Sequence, residues 1–198
     1  MNEESRQALR DSLRQARQAL TPKLQNQANQ AVCDLLQQQD FFRAAEHIAF
    51  YQAFDGEIDP RPLLDLALSQ GKHCYLPIIA AGNPDMLSFA PFDKNTILVK
   101  NNWGIPEPPQ PNELVPPTHF DLVLVPLVGF DQSCFRLGMG QGFYDRIFSF
   151  KIFNRSSNPL LIGLAHANQL LDAFPTQSWD VRLDAVITAE KIFRPDAA

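Results

Sequence analysis

Five short, almost wholly apolar runs punctuate the chain beyond residue 46, and they limit its fold more than any other feature. They are His47-Ile48-Ala49-Phe50-Tyr51, Cys74-Tyr75-Leu76-Pro77, Leu122-Val123-Leu124-Val125-Pro126, Leu161-Ile162-Gly163-Leu164 and Ala185-Val186-Ile187-Thr188. Each has the length of a strand, and none alternates polar with apolar as a half-exposed strand does. A strand that is apolar on both sides needs cover on both faces, which is the condition of a parallel sheet. Helical segments between the runs provide the crossovers. Asp59-Pro60-Arg61-Pro62 opens one such helix through Leu63, Leu64, Ala67 and Leu68, and Gly71 ends it. The expected architecture is α/β, a three-layer Rossmann-like sandwich with a mostly parallel sheet.

Two helices precede the sheet. Leu9, Leu13, Ala16 and Leu20 line one helical face, Thr21 caps a second helix with Pro22 in its first position, and Leu24, Ala28, Ala31 and Leu35 continue it. One domain over 1–198 is expected, with N-terminal helices in 1–40 and the sheet and site in 45–190. Nine of the 16 prolines fall between residues 77 and 117. A hairpin (Met86 to Phe89 with Thr96 to Val99) is expected there, followed by an extended arm, Trp103 to Pro117. Such an arm lines a site or forms a rigid surface connection.

Composition narrows the function classes. A formal net charge of −5 and a pI near 5.3 argue against coating nucleic acid or an anionic membrane. No apolar run approaches the roughly 18–20 residues of a spanning helix. The polar start MNEESRQALR lacks the apolar centre of a signal peptide. Cys33, Cys74 and Cys134 are scattered and odd in number, so they read as reduced, packed thiols. A cytoplasmic monomer is the expectation.

Chemistry concentrates in Arg136-Leu137-Gly138-Met139-Gly140-Gln141-Gly142-Phe143-Tyr144-Asp145-Arg146. Three glycines in five residues, after a strand and before a helix, suit a phosphate cradle or a plain tight turn. A helix starting near Gly142 would add its positive end. Arg136 is placed to neutralise phosphate, and Asp145 either holds Mg²⁺ or serves the helix dipole. Arg6, Arg10, Arg14 and Arg17 share one helical face. Arg14 and Arg17 read as solvated, whereas Glu57 suits either ring N–H donors or a helix start. Trp103 suits stacking on a ligand or core packing. The histidines at 47, 73, 119 and 166 show no metal-ligand spacing; His47 reads as packed at a strand start and His166 as a modest site candidate. Cys134 reads as incidental.

The run VPLVGFDQSCFRLGMGQGFYDR closely resembles the signature of the 5-formyltetrahydrofolate cyclo-ligase (5,10-methenyltetrahydrofolate synthetase) family. The basic N-terminal helix, a glutamate after the first strand, the Gly-Ile-Pro-Glu-Pro arm and the closing WDVRLDAVITAE extend the likeness. The resemblance implies conversion of 5-formyltetrahydrofolate to 5,10-methenyltetrahydrofolate, with ATP as co-substrate, Mg²⁺, and release of ADP and phosphate. It implies nucleotide contacts at Arg6, Arg10, Arg136, Leu137, Gly138, Met139, Gly140, Gln141, Gly142, Phe143 and Tyr144, and Mg²⁺ on Asp145. Gln52 and Glu57 fall where the family contacts folate; Trp103 is a stacking candidate for the same ligand from its place in the proline arm alone. Arg136 and Tyr144 are the expected catalytic residues, and Asp180 or Asp184 is a candidate second metal contact. Met139 and Gln141 stand where some relatives carry cations, and Phe143 where Tyr is frequent. A sugar-phosphate enzyme of similar fold and a non-catalytic folate-binding protein are the alternative readings.

Overall fold

The computed structural model describes residues 3–79, 86–101, 104–111 and 114–196. The helices are α1 (Glu3–Gln18), α2 (Pro22–Gln37), α3 (Asp40–Ala44), α4 (Arg61–Ser69) and α5 (Phe143–Ile147). The strands are β1 (His47–Ala49), β2 (His73–Ile79), β3 (Leu87–Phe92), β4 (Val99–Lys100), β5 (Pro106–Glu107) and β6 (Leu122–Val125). They continue with β7 (Gly129–Asp131), β8 (Arg136–Leu137), β9 (Leu160–Leu164), β10 (Leu170–Leu171), β11 (Ala185–Ile187) and β12 (Ile192–Phe193). The main sheet has seven strands in the order β12-β11-β9-β6-β1-β2-β3. Its five inner strands are the five apolar runs, and all their mutual pairings are parallel.

The pattern of those runs explains their depth. Ile48, Leu122, Leu124, Ile162, Leu164, Ala185 and Ile187 face a core closed by α2, α3 and α4. Ala49, Val123, Val125, Leu161 and Val186 face a second core, with Phe120, Phe148 and Phe89. That second layer is thin, built from α5, a short 3-10 turn (Ser149–Ile152) and loops. Both helix boundaries read from Thr21 and Gly71 are present: the Thr21 hydroxyl accepts from the Leu24 N–H at 3.3 Å, and Gly71 has φ +76°.

The expected hairpin is not formed. Leu87–Phe92 instead runs antiparallel to β2 as the edge strand, and Val99–Lys100 pairs with Pro106–Glu107. Burial decides between the two pairings. Leu87, Phe89 and Ala90 are buried, whereas Ile97 is 79% and Val99 52% exposed. A tight turn, closed by Asp93 N–H to Thr96 Oγ1 at 2.9 Å and Asn95 N–H to Asp93 Oδ1 at 2.8 Å, directs the chain away from β3.

A second sheet, β10-β7-β8, stands at the carboxyl ends of the parallel strands and carries α1 on it. Leu13 and Leu9 pack with Val128, Leu137, Phe174 and Leu171. The arginine face of α1 therefore turns toward the molecule: the solvated reading of Arg17 is wrong, and Arg14, one third exposed, is ion-paired rather than free. Arg17 has 0% exposure. Its Nε donates to the Asp55 carbonyl at 2.8 Å, Nη1 to the Leu127 carbonyl at 3.2 Å and Nη2 to Asp55 Oδ2 at 3.0 Å. Arg14 Nε donates to the same Asp55 oxygen at 2.7 Å, and Gln18 donates to its other oxygen. Burial alone would raise the Asp55 carboxyl, but these hydrogen bonds and the two guanidinium charges hold it below its ordinary value. Asp55 itself adopts φ +56°.

Removing the buried Arg17 guanidinium strips the Asp55 and Leu127 carbonyls of a donor and leaves the Asp55 carboxylate to Arg14 and Gln18 alone. Arg17→Met is therefore expected to lower unfolding free energy by about 3 kcal/mol or more. The solvent-exposed Arg61→Met should change it by less than about 1 kcal/mol. Equilibrium urea denaturation of both variants checks this; equal midpoints would show Arg17 to be dispensable.

Candidate active site

The glycine loop leaves β8 at Leu137 and enters α5 through Gly142. Gly140 (φ +100°) and Gly142 (φ +63°) lie in the left-handed region, which a side chain at either position would strain. Helix α5 has only five residues, so the expected helix-dipole contribution is that of a single turn. Guanidinium groups supply the positive field instead. Arg10 Nε donates to the Gly138 carbonyl at 3.0 Å, and its Cζ lies 3.5 Å from where a Cβ on Gly140 would sit. Arg146 Nη1 donates to the Gln141 carbonyl at 2.6 Å, with its guanidinium 5.2 Å from the Phe143 ring centre.

A cavity of ≈ 590 Å³ lies against this loop, walled by four arginines (Arg6, Arg10, Arg136, Arg146) and two aspartates (Asp145, Asp180). Arg6 Nη1 lies 3.5 Å from Asp180 Oδ2 and donates to the Pro175 carbonyl at 3.4 Å. Its buried Nε has no hydrogen-bond partner among the described residues. A buried guanidinium N–H of that kind costs stability unless an acceptor arrives. Excess positive charge with an unsatisfied donor is the chemistry of a polyanion site.

A second cavity of ≈ 400 Å³ adjoins the first and is lined mainly by apolar groups, among them Ile78, Leu87, Ile105, Leu127, Phe143 and Tyr144. Gln52, Glu57, Asn101 and Glu107 supply its polar points. Glu57 has 10% side-chain exposure; its Oε2 accepts from the Phe54 N–H at 3.1 Å, and Arg17 Nη1 lies 3.8 Å from Oε1. Burial pushes its carboxyl up to about 7, against the Arg17 charge and the Phe54 hydrogen bond that pull it down. Burial, with the nearby Glu57 charge, also holds the Tyr144 phenol far above its ordinary range. Tyr144 is thus a neutral hydrogen-bond donor, not a base. Glu107 accepts from Asn101 Nδ2 at 2.9 Å and from the Ile79 N–H at 3.3 Å.

The two cavities share Arg136, Gly138, Gln141, Gly142 and Asp145 as a common wall. Arg136 Nη2 pairs with Asp145 Oδ1 at 2.8 Å, Arg136 Nη1 donates to the Val181 carbonyl at 2.8 Å, and the Val181 N–H donates to Asp145 Oδ1 at 2.9 Å. Among the described residues no three His, Cys, Asp or Glu side chains converge as a metal cage. Asp145 and Asp180 do face one cavity. One or two carboxylates completed by phosphate oxygens and water are a donor set that suits Mg²⁺. Asp184 lines neither cavity: it pairs with Lys151 Nζ at 3.0 Å and accepts from the Leu161 N–H at 2.8 Å.

The remaining sequence candidates divide clearly. Arg6, Arg10, Arg136, Gly138, Gly140, Gln141 and Gly142 border the arginine cavity, whereas Met139, Phe143 and Tyr144 border only the apolar one. Leu137 is fully buried and borders neither. Trp103 lies outside the described residues. His166 is structural: its ring Nε2 lies 3.0 Å from the Gly56 carbonyl, beneath the Glu57 loop, and burial lowers its pKa. His47 packs against Tyr75, His73 and His119 at the opposite ends of the strands. Burial raises the Cys134 thiol to about 11, so it is no thiolate nucleophile. Sequence reasoning missed Glu107, Asn101, Tyr51, Gln177 and Trp179 as lining groups. Glu107 and Trp179 lie inside the motifs GIPEP and WDVRLDAVITAE, so a signal for them was present.

Comparison with known proteins agrees with this geometry. The profile of the 5-formyltetrahydrofolate cyclo-ligase family matches residues 2–189. The 5-formyltetrahydrofolate cyclo-ligase of Escherichia coli K12 is 34% identical over 182 residues, covering 91% of this chain and 98% of that protein. The Haemophilus influenzae 5-formyltetrahydrofolate cyclo-ligase is 37% identical over 188 residues, covering 92% and 97%. The NMR structure of Aquifex aeolicus 5,10-methenyltetrahydrofolate synthetase superposes with TM-score 0.83 at 26% identity, covering 98% of this chain and 94% of that one. The paired cavities, the arginine-lined glycine loop and these matches together make the chain a member of the 5-formyltetrahydrofolate cyclo-ligase family.

Proposed function

We propose that the protein converts 5-formyltetrahydrofolate to 5,10-methenyltetrahydrofolate, consuming ATP and releasing ADP and phosphate. One observation carries this reading: a polycationic cavity and an apolar cavity meet at a single wall formed by Arg136, the glycine loop and Asp145. A triphosphate suits the first, a flat heteroaromatic ring the second, and their reacting ends then meet at the wall.

The substrate's formyl group is an amide at N5, too unreactive for N10 to attack unaided. In the proposed route the formyl oxygen attacks the γ-phosphorus and ADP departs, which turns that oxygen into a leaving group. N10 then adds to the activated carbon, the N10 proton is lost, and phosphate leaves with the former formyl oxygen. The chain's residues position and neutralise; none forms a covalent bond. Arg6, Arg10 and Arg136 hold the phosphates, and Arg136 faces the charge that develops in transfer. Glu57 and Gln52 orient the ring, and Tyr144 offers a hydrogen bond as a neutral phenol. Asp145, with Asp180 on the same cavity, would hold Mg²⁺, which supplies charge neutralisation on the phosphate oxygens when bound.

Met139 borders the apolar cavity. The lack of a cation there leaves the arginine wall intact, which disfavours a binding protein that has lost ATP use. Three buried, free cysteines suit a reducing compartment such as the cytoplasm. No described helix is long and apolar enough to cross a membrane.

The direct test incubates purified protein with 5-formyltetrahydrofolate and Mg·ATP and follows the methenyl chromophore together with ADP. Chromophore and ADP should appear in equal amounts, with no ADP when folate is omitted. ADP release without folate, or with a sugar phosphate in its place, would refute the reading.

Glu57 generates a second test. Ring N–H donors bind the carboxylate, so ligand binding at a group titrating near 7 must expel a proton below that pH. Folate affinity is therefore expected to fall about tenfold from pH 8 to pH 6, as roughly one site in ten remains ionised at the lower pH. Glu57→Gln should bind folate about tenfold more weakly at pH 8 and show a flat profile. Calorimetry across that range decides; an unaltered slope in the variant removes Glu57 from the ring contact.

A further inference from the structure

The arginine-walled cavity contains a group that phosphate binding does not use. Trp179 lies on its rim, 63% exposed, the one aromatic side chain among its described lining residues. The turn that carries it is closed twice, by Asp180 N–H to the Gln177 carbonyl at 3.0 Å and by Gln177 N–H to Asp180 Oδ2 at 2.8 Å. That turn is also bound to the groups that face the phosphates. Asp180 pairs with Arg6 at 3.5 Å, and the adjoining Val181 accepts from Arg136 at 2.8 Å and donates to Asp145 at 2.9 Å. The backbone that carries the indole is thus tied to the guanidinium wall by polar contacts through Gln177, Asp180 and Val181.

We infer that Trp179 is the stacking platform for the purine base of the nucleotide whose phosphates the arginines hold. The inference rests on reading this cavity as a nucleoside triphosphate site. Phosphates occupy the arginines but leave the base to be held elsewhere in the cavity. An exposed indole at its rim gives that base a flat apolar partner. Ser149 and Gln177, which also line this cavity, offer hydrogen-bonding groups to the ribose or the base edge. Because stacking accepts any purine, Trp179 provides affinity for the nucleoside and little choice between adenine and guanine.

Wild type, Trp179→Ala and Trp179→Phe are compared by calorimetric titration with ADP and, separately, with inorganic tripolyphosphate. The alanine variant should lose at least about tenfold in ADP affinity. Its tripolyphosphate affinity should stay within about twofold of wild type, and phenylalanine should restore most of the ADP loss. In turnover, KM for ATP should rise while kcat at saturating ATP holds. Unchanged ADP affinity in the alanine variant overturns the assignment. So does an equal loss for ADP and tripolyphosphate, which would make Trp179 a prop for the turn. Wild type that binds tripolyphosphate but not ADP also overturns the platform while leaving an anion site. Wild type that binds neither overturns the triphosphate reading of the cavity and the platform with it.

Discussion

The site depends on one buried cation. Arg17 reaches from α1 through the protein to the Asp55 backbone, the Asp55 carboxylate and the Leu127 carbonyl, and it stands 3.8 Å from Glu57. Those contacts join the helix that carries Arg6 and Arg10 to the loop that carries Glu57, and both to the segment after β6. A fully desolvated guanidinium is stable only where several acceptors surround it, so the three pieces must sit together for the charge to be tolerated. The same charge restrains the Glu57 carboxyl, which burial alone would raise further. Positions of the arginines of the first cavity and of the carboxylate of the second are thereby coupled through one side chain that borders neither cavity.

Two solvents meet across the glycine loop. On one side, four arginines outnumber two carboxylates, and a buried Arg6 N–H lacks an acceptor among the described residues. On the other, mainly apolar walls shift Glu57 toward neutrality and keep Tyr144 protonated. Arg136 and Asp145 belong to both sides, with their ion pair anchored to the Val181 backbone. Phosphoryl transfer between a polyanion and an otherwise neutral amide needs this kind of boundary: strong charge where the phosphates lie and a dry, oriented acceptor beside it. The Arg17→Met variant addresses the scaffold of that boundary and the Glu57 profile addresses its apolar side.

Much of this was legible from the chain because the physics was local. Apolar runs from His47 to Thr188 had to lie inside a two-sided sheet, Thr21-Pro22 had to open a helix, and the glycines at 138, 140 and 142 were free to take positive φ, as two of them do. What escaped depended on contacts distant in sequence. Whether Leu87–Phe92 pairs with its downstream neighbour or with β2 is decided by burial, which a propensity argument does not contain. Arg14 and Arg17 share a helical face with Arg6 and Arg10 and have the same composition around them. Only the docking of Leu9 and Leu13 on the second sheet turns that face inward. Asp184 and Asp180, four residues apart, were interchangeable as carboxylates until Lys151 and Arg6 claimed one each. Assigning Met139, Phe143 and Tyr144 to the nucleotide followed from their place in one contiguous motif. The loop forms a partition: Gly140 and Arg146 line only the first cavity, Met139, Phe143 and Tyr144 only the second, and Gly138, Gln141, Gly142 and Asp145 both.

In the proposed route the two cavities meet so that the formyl oxygen of one ligand attacks the γ-phosphorus of the other. Turnover with 5-formyltetrahydrofolate carrying a heavy-oxygen label in its formyl group tests this directly, with mass analysis of the released inorganic phosphate. Each phosphate formed should carry the label, because the bond broken on ring closure lies between the formyl carbon and that oxygen. Unlabelled phosphate, with the heavy oxygen recovered in water, would contradict it.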